Sequence, residues 1–144
     1  MVPTRILITL LALAATPALA GEPELFQASA TFVPASASSA PLIRVVLTAT
    51  DADVKVKGRP TPRLRLSSTQ RSLTLLDPQG EVQAVPGPHY VDLAQPLRFP
   101  ATLSGDAPKA PHAVEATLSF VYCSTSKGWC RKGNARVEIP VEIR

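Results

Sequence analysis

Period-two alternation of apolar and polar residues runs through most of this chain. In 113–122, AVEATLSFVY, Val114, Ala116, Leu118, Phe120 and Tyr122 share one parity, and Glu115, Thr117 and Ser119 take the other. In 135–143, ARVEIPVEI, Val137, Ile139, Val141 and Ile143 oppose Arg136, Glu138 and Glu142. This pattern puts one face of a strand on a core and the other in water. Pro140 falls on the polar parity and removes a ladder donor, which predicts an edge strand. Shorter strands are expected at LFQASATFV, 25–33, at RLRLS, 63–67, with Leu64 and Leu66 inward, at SLTLL, 72–76, and at LRFPATL, 97–103. LIRVVLTAT, 42–50, is a nearly continuous β-branched run, as a central strand requires. Val54 and Val56 alternate with Lys55 and Lys57 inside DADVKVKGRPTP, a stretch broken by Asp, Gly and two prolines. PASASSAP, DPQG and SGDAPKAP read as connectors, and PGPHYVDLAQP, 86–96, as a long proline-bounded segment. Fifteen prolines and no 3.6-period stretch of useful length argue against helices. About eight short strands at this spacing predict an all-β fold, an immunoglobulin-like β-sandwich.

The N-terminus follows a different rule. Arg5 precedes the apolar run ILITLLALAA, 6–15, and ALA at 18–20 is a small-x-small cleavage site. The expectation is a signal peptide over 1–20, cleaved after Ala20, and a single exported domain over 21–144. The apolar run is too short for a transmembrane helix, so no membrane anchor is expected. Export places the domain in the periplasm or outside the cell.

Charge narrows the function classes. The formal net charge is +4, and Arg5 belongs to the leader. Lys55, Lys57, Arg59, Arg63, Arg65, Lys127, Arg131 and Lys132 form no continuous basic block, so nucleic acid is not an expected partner and these charges read as solvated strand faces. A hydrolase is unsupported, because neither G-x-S-x-G nor H-E-x-x-H occurs. Only His89 and His112 could complete a zinc site with the cysteines, and neither stands at a motif spacing. No metal or cofactor is expected, and the domain is expected to be a monomer.

The only two cysteines, Cys123 and Cys130, flank STSKGW. They join the end of one strand to the start of the next, and a hairpin loop of this composition brings them within disulfide range. In an oxidising compartment they pair with each other. Two readings stay open from the residues. One is a structural staple in a non-catalytic binding or structural module. The other is a redox pair whose exposed hairpin end suits thiol exchange. For the second, Lys127, Arg131 and Lys132 are candidates to stabilise a thiolate, and Trp129 can shield the sulfur or offer a docking surface.

ATLSFVYCSTSKGWCRKGNARVEIPVEI, 116–143, resembles the end of the N-terminal periplasmic domain of the thiol-disulfide interchange reductase DsbD. Tyr122, Cys123, Trp129, Cys130 and IPVEI match in order. The resemblance implies a β-sandwich whose cysteine pair cycles between dithiol and disulfide, carrying electrons between thioredoxin-like or membrane thiol-disulfide proteins. It makes Cys130 the sulfur that forms the mixed disulfide and Cys123 the resolving one. It also implies an aromatic cap over the pair, and PHYVDLAQPLRFP, 88–100, is similar in place, nominating His89 and Tyr90. The chain departs from the family in having six residues between the cysteines. The acidic neighbours of the cap aromatic are also not evident.

Overall fold

In the computed structural model, residues 25–67, 71–83 and 89–142 are described. The signal peptide expected over 1–20 lies outside them, as does Ile143 at the end of the last expected strand. Eight strands and no helix make up the described chain: β1 (Phe26–Val33), β2 (Leu42–Ala49), β3 (Val54–Val56), β4 (Arg63–Leu66), β5 (Leu73–Leu75), β6 (Leu97–Leu103), β7 (His112–Ser124) and β8 (Cys130–Val141). All pairings are antiparallel. One sheet runs β1-β2-β6-β5. The other is built on β7, with β8 along one edge and β3 and β4 along the opposite edge. The fold is all-β, two antiparallel sheets consistent with a sandwich.

The alternating residues meet between the sheets. Ile43, Val45, Leu47 and Phe99 of the first sheet and Val114, Leu118, Val137 and Ile139 of the second belong to one buried cluster. β2 lies between β1 and β6, which agrees with its reading as a central strand. β8 pairs only with β7 among the described residues, so it is an edge strand, as Pro140 indicated.

β8 begins at Cys130, five residues before the alternating run that announced it. Residues 130–134, CRKGN, have a loop-like composition, yet they continue the β7 ladder from Ser119↔Asn134 to Cys123↔Cys130. Gly133 explains part of this. It stands opposite Phe120, and a Cβ on it would lie 2.7 Å from one Phe120 ring carbon and 3.1 Å from Tyr122. The glycine is the seat on which two rings rest. Those rings continue into a chain of edge-to-face contacts, Phe26–Phe120 at 4.8 Å, Phe26–Tyr122 at 5.0 Å and Tyr122–Trp129 at 5.7 Å, a favourable geometry for aromatic pairs.

Candidate functional site

Cys123 and Cys130 are directly opposed on β7 and β8 and joined by a disulfide, with a Cα separation of 4.0 Å. Parity places the sulfurs on the outer face of the sheet. Phe120 and Tyr122 point inward, so the odd-numbered residues of β7 and the even-numbered residues of β8 point to solvent. Cys123 is nevertheless buried, at 4 % exposure, because β7 is the central strand and Lys55 and Cys130 flank it on either side. Cys130, on the edge strand, is exposed. A thiolate arriving from solvent therefore reaches one sulfur and not the other.

The loop between the cysteines is held from a distant part of the chain. Asp53, in the connection from β2 to β3, accepts hydrogen bonds from the Ser124 hydroxyl, the Thr125 hydroxyl at 2.6 Å, the Ser126 hydroxyl at 2.9 Å and the Ser126 N–H at 2.8 Å. The Thr125 N–H donates to the Asp53 carbonyl at 3.0 Å. The Ser124 and Thr125 hydroxyls, foremost among these donors, hold the Asp53 carboxyl well below the usual carboxylate range. Across the loop, the Ser124 N–H donates to the Trp129 carbonyl at 2.9 Å, and the Gly128 N–H to the Ser124 carbonyl at 3.0 Å. Gly128 has φ 74°, the left-handed conformation that suits glycine. Nothing local announces the clasp. Its parts are an aspartate in a turn-like stretch and three small hydroxyl residues 71 to 73 positions later.

Among the nominated neighbours of the pair, Trp129 and Arg131 lie on the far side of the hairpin. Trp129 meets Tyr122 edge to face, and the Arg131 guanidinium carbon stands 4.3 Å from the Trp129 ring centroid, a cation–π distance. Lys132 shares the sulfur face, two residues beyond Cys130, and Lys127 is exposed in the loop. Lys55, treated with the scattered charges in the sequence, is the residue directly across from Cys123. Directly opposed residues on one face have Cβ atoms about 5 Å apart, so its ammonium can reach the buried sulfur.

His89 and Tyr90 lie beside β3. Tyr90 forms a bridge with Lys57, and the Gly58 N–H donates to the His89 carbonyl at 2.7 Å. Pro88, the first residue of the nominated cap segment, lies outside the described residues. Tyr90 shares the outer face with the disulfide, two strands over and two residues along, so its Cα stands roughly 12 Å from that of Cys123. His89 has φ 91°.

No group of three or more His, Cys, Asp or Glu side chains suited to a metal occurs among the described residues, and no helix among them is long and apolar enough to cross a membrane. The chain matches no protein-family model, no curated protein and no solved structure.

Proposed function

We propose that this chain is an exported thiol-disulfide exchange module, an immunoglobulin-like sandwich resembling the N-terminal domain of DsbD, that carries electrons through Cys123 and Cys130. The observation that carries the reading is the placement of the pair. The disulfide closes the end of a ladder of twelve paired positions, beside a loop already clasped by Asp53, and neither cysteine belongs to the core cluster. A staple there duplicates existing restraints. A reactive pair, in contrast, profits from one accessible sulfur, one shielded sulfur and a hairpin that keeps both in place.

The exchange runs as follows. A thiolate of a thioredoxin-like or membrane-bound partner attacks the exposed Cys130 Sγ. The Cys123–Cys130 bond breaks as the intermolecular S–S bond forms, and Cys123 leaves as a thiolate that later takes a proton from water. Lys55 faces this leaving sulfur, and a cation there lowers the thiol pKa and speeds departure. The partner's second thiolate then attacks its own sulfur in the mixed disulfide and frees Cys130. The partner loses two electrons and the module gains them. The reverse sequence passes them to an oxidised acceptor, with Cys130 attacking and Cys123 resolving.

Single-cysteine variants test the roles. Cys130 in Cys123→Ala and Cys123 in Cys130→Ala are each activated as the thionitrobenzoate disulfide and mixed with a thioredoxin-fold protein lacking its resolving cysteine. The Cys130 species is expected to form the intermolecular disulfide far faster. Equal rates would overturn the assignment of roles, and no capture by either would overturn the exchange function.

A further inference from the structure

The β3/β4–β7–β8 sheet collects basic residues that the sequence disperses. Its outer face is ranked by register. Lys55, Cys123 and Cys130 form the first rank. Lys57 follows beside Val121 and Lys132, its N–H donating to the Val121 carbonyl at 2.7 Å. Arg63, Ser119 and Asn134 come next, then Arg65, Thr117 and Arg136. Glu115 and Glu138, directly opposed, close the far end. With Lys57, one residue past β3, the face carries six cations against two carboxylates. No ion pair engages any of the six among the described residues. Asp53 adds an anion at the disulfide end, but its oxygens are taken by the loop donors.

We infer that this face docks an acidic, extended segment of the thiol protein that exchanges with Cys123–Cys130, an inference that rests on the proposed exchange function. Three features favour a peptide. The track has an axis, positive from the disulfide to Arg65 and Arg136 and negative beyond. From the level of Cys123 to that of Thr117 it spans about 20 Å, the length of about six extended residues. The face offers only the half-buried Val121 as apolar surface along this track, too little to insert into a bilayer. Tyr90, at its margin, is the one aromatic available for stacking a base. A segment with about six carboxylates adjoining its cysteine would lie along the ranks and deliver its sulfur to Cys130. Such complementarity acts mainly on association rate and on the choice of partner.

The test uses a cysteine peptide followed by about six Asp and Glu residues, its Asn/Gln counterpart, and a Ser-for-Cys copy of the acidic peptide. At low ionic strength the oxidised protein is expected to exchange with the acidic peptide about tenfold faster than with the neutral one. That ratio falls toward one at about 0.5 M salt and in Arg63→Glu/Arg65→Glu, which brings the face from +4 to zero. Arg63→Gln/Arg65→Gln gives an intermediate ratio and serves if the reversal perturbs folding. Lys109→Glu, away from the face, leaves the ratio unchanged. The Ser-containing peptide, followed by fluorescence anisotropy, binds the wild type and loses affinity in the same arginine variants. If neither cysteine peptide exchanges but this loss occurs, the exchange function fails and the docking face stands. Equal exchange rates with no binding of the Ser-containing peptide overturn the inference. Tighter binding of phosphatidylserine vesicles or of a single-stranded oligonucleotide than of the acidic peptide overturns it as well.

Discussion

Removing the disulfide is expected to weaken the domain by a bounded amount and leave it folded. The perturbation is Cys123→Ala with Cys130→Ala. The two cysteines are seven positions apart, so the bond restrains a loop of about eight residues in the unfolded chain, worth about 2.5 kcal/mol in the chain-entropy model. Cys123 is buried at 4 % exposure, and loss of its sulfur removes about 1 kcal/mol of packing. Cys130 is exposed and adds little. The total, roughly 3–4 kcal/mol, is comparable to truncating one core leucine to alanine, such as Leu118, which is wholly buried. In a domain of this size the corresponding loss of Tm is about 10–15 °C. Urea denaturation followed by circular dichroism gives the free energy, and amide NMR dispersion at 25 °C shows whether the native packing survives. The twelve-position β7–β8 ladder, the Asp53 clasp and a core formed without the cysteines are what keep the reduced domain folded. Collapse of amide dispersion at 25 °C, or a loss well beyond about 5 kcal/mol, would refute this reasoning and make the pair a structural necessity.

Other outcomes follow from the same geometry. Ionised Asp53 stabilises the fold, because its folded-state pKa is depressed; the contribution is present above the ordinary carboxylate value of about 4 and is lost as pH falls below it. The gap in urea midpoint between wild type and Asp53→Asn is therefore expected to narrow below about pH 4, and a constant gap down to about pH 2 would contradict an ionic clasp. Gly133→Ala is expected to cost about 1–3 kcal/mol, since the new methyl meets the Phe120 ring at 2.7 Å; a neutral effect in thermal denaturation would show that the rings move aside freely. The resemblance, rather than the geometry, predicts that His89→Ala with Tyr90→Ala speeds alkylation of the reduced pair by iodoacetamide; an unchanged rate, which the separation of Tyr90 from Cys123 by β3 favours, would remove these residues from any capping role.

Much of the strand layout was legible because each half-buried strand writes its own parity. Leu64 in β4 and Val137, Ile139 and Val141 in β8 are buried as their alternation required. Features assembled from separated segments were not legible. Lys55 and Lys57, Arg63 and Arg65, and Lys132 and Arg136 occupy three stretches of sequence, each an ordinary alternating strand. Only the pairing of β3 and β4 on one edge of β7 and β8 on the other makes them a single face. The Asp53 clasp joins the β2–β3 connection to the cysteine loop, and no local rule links an aspartate to hydroxyls some seventy residues away. The early start of β8 was hidden for a different reason. Gly133 and Asn134 carry turn composition, but here the glycine accommodates aromatic rings, and Asn134 accepts a hydrogen bond from Ser119 at 2.9 Å across the ladder. The side on which Trp129 lies was likewise fixed by register rather than by its position next to Cys130.

The reduction potential of the Cys123–Cys130 pair tests the central claim most directly. The protein is equilibrated in thiol-disulfide buffers of graded potential and quenched with an alkylating agent, and the reduced fraction is read from intact mass. A working pair is expected to titrate at a potential less negative than about −300 mV, within reach of thiol-disulfide exchange partners. A midpoint below that value, with both cysteines inert until the domain unfolds, would contradict the account and identify the bond as a staple.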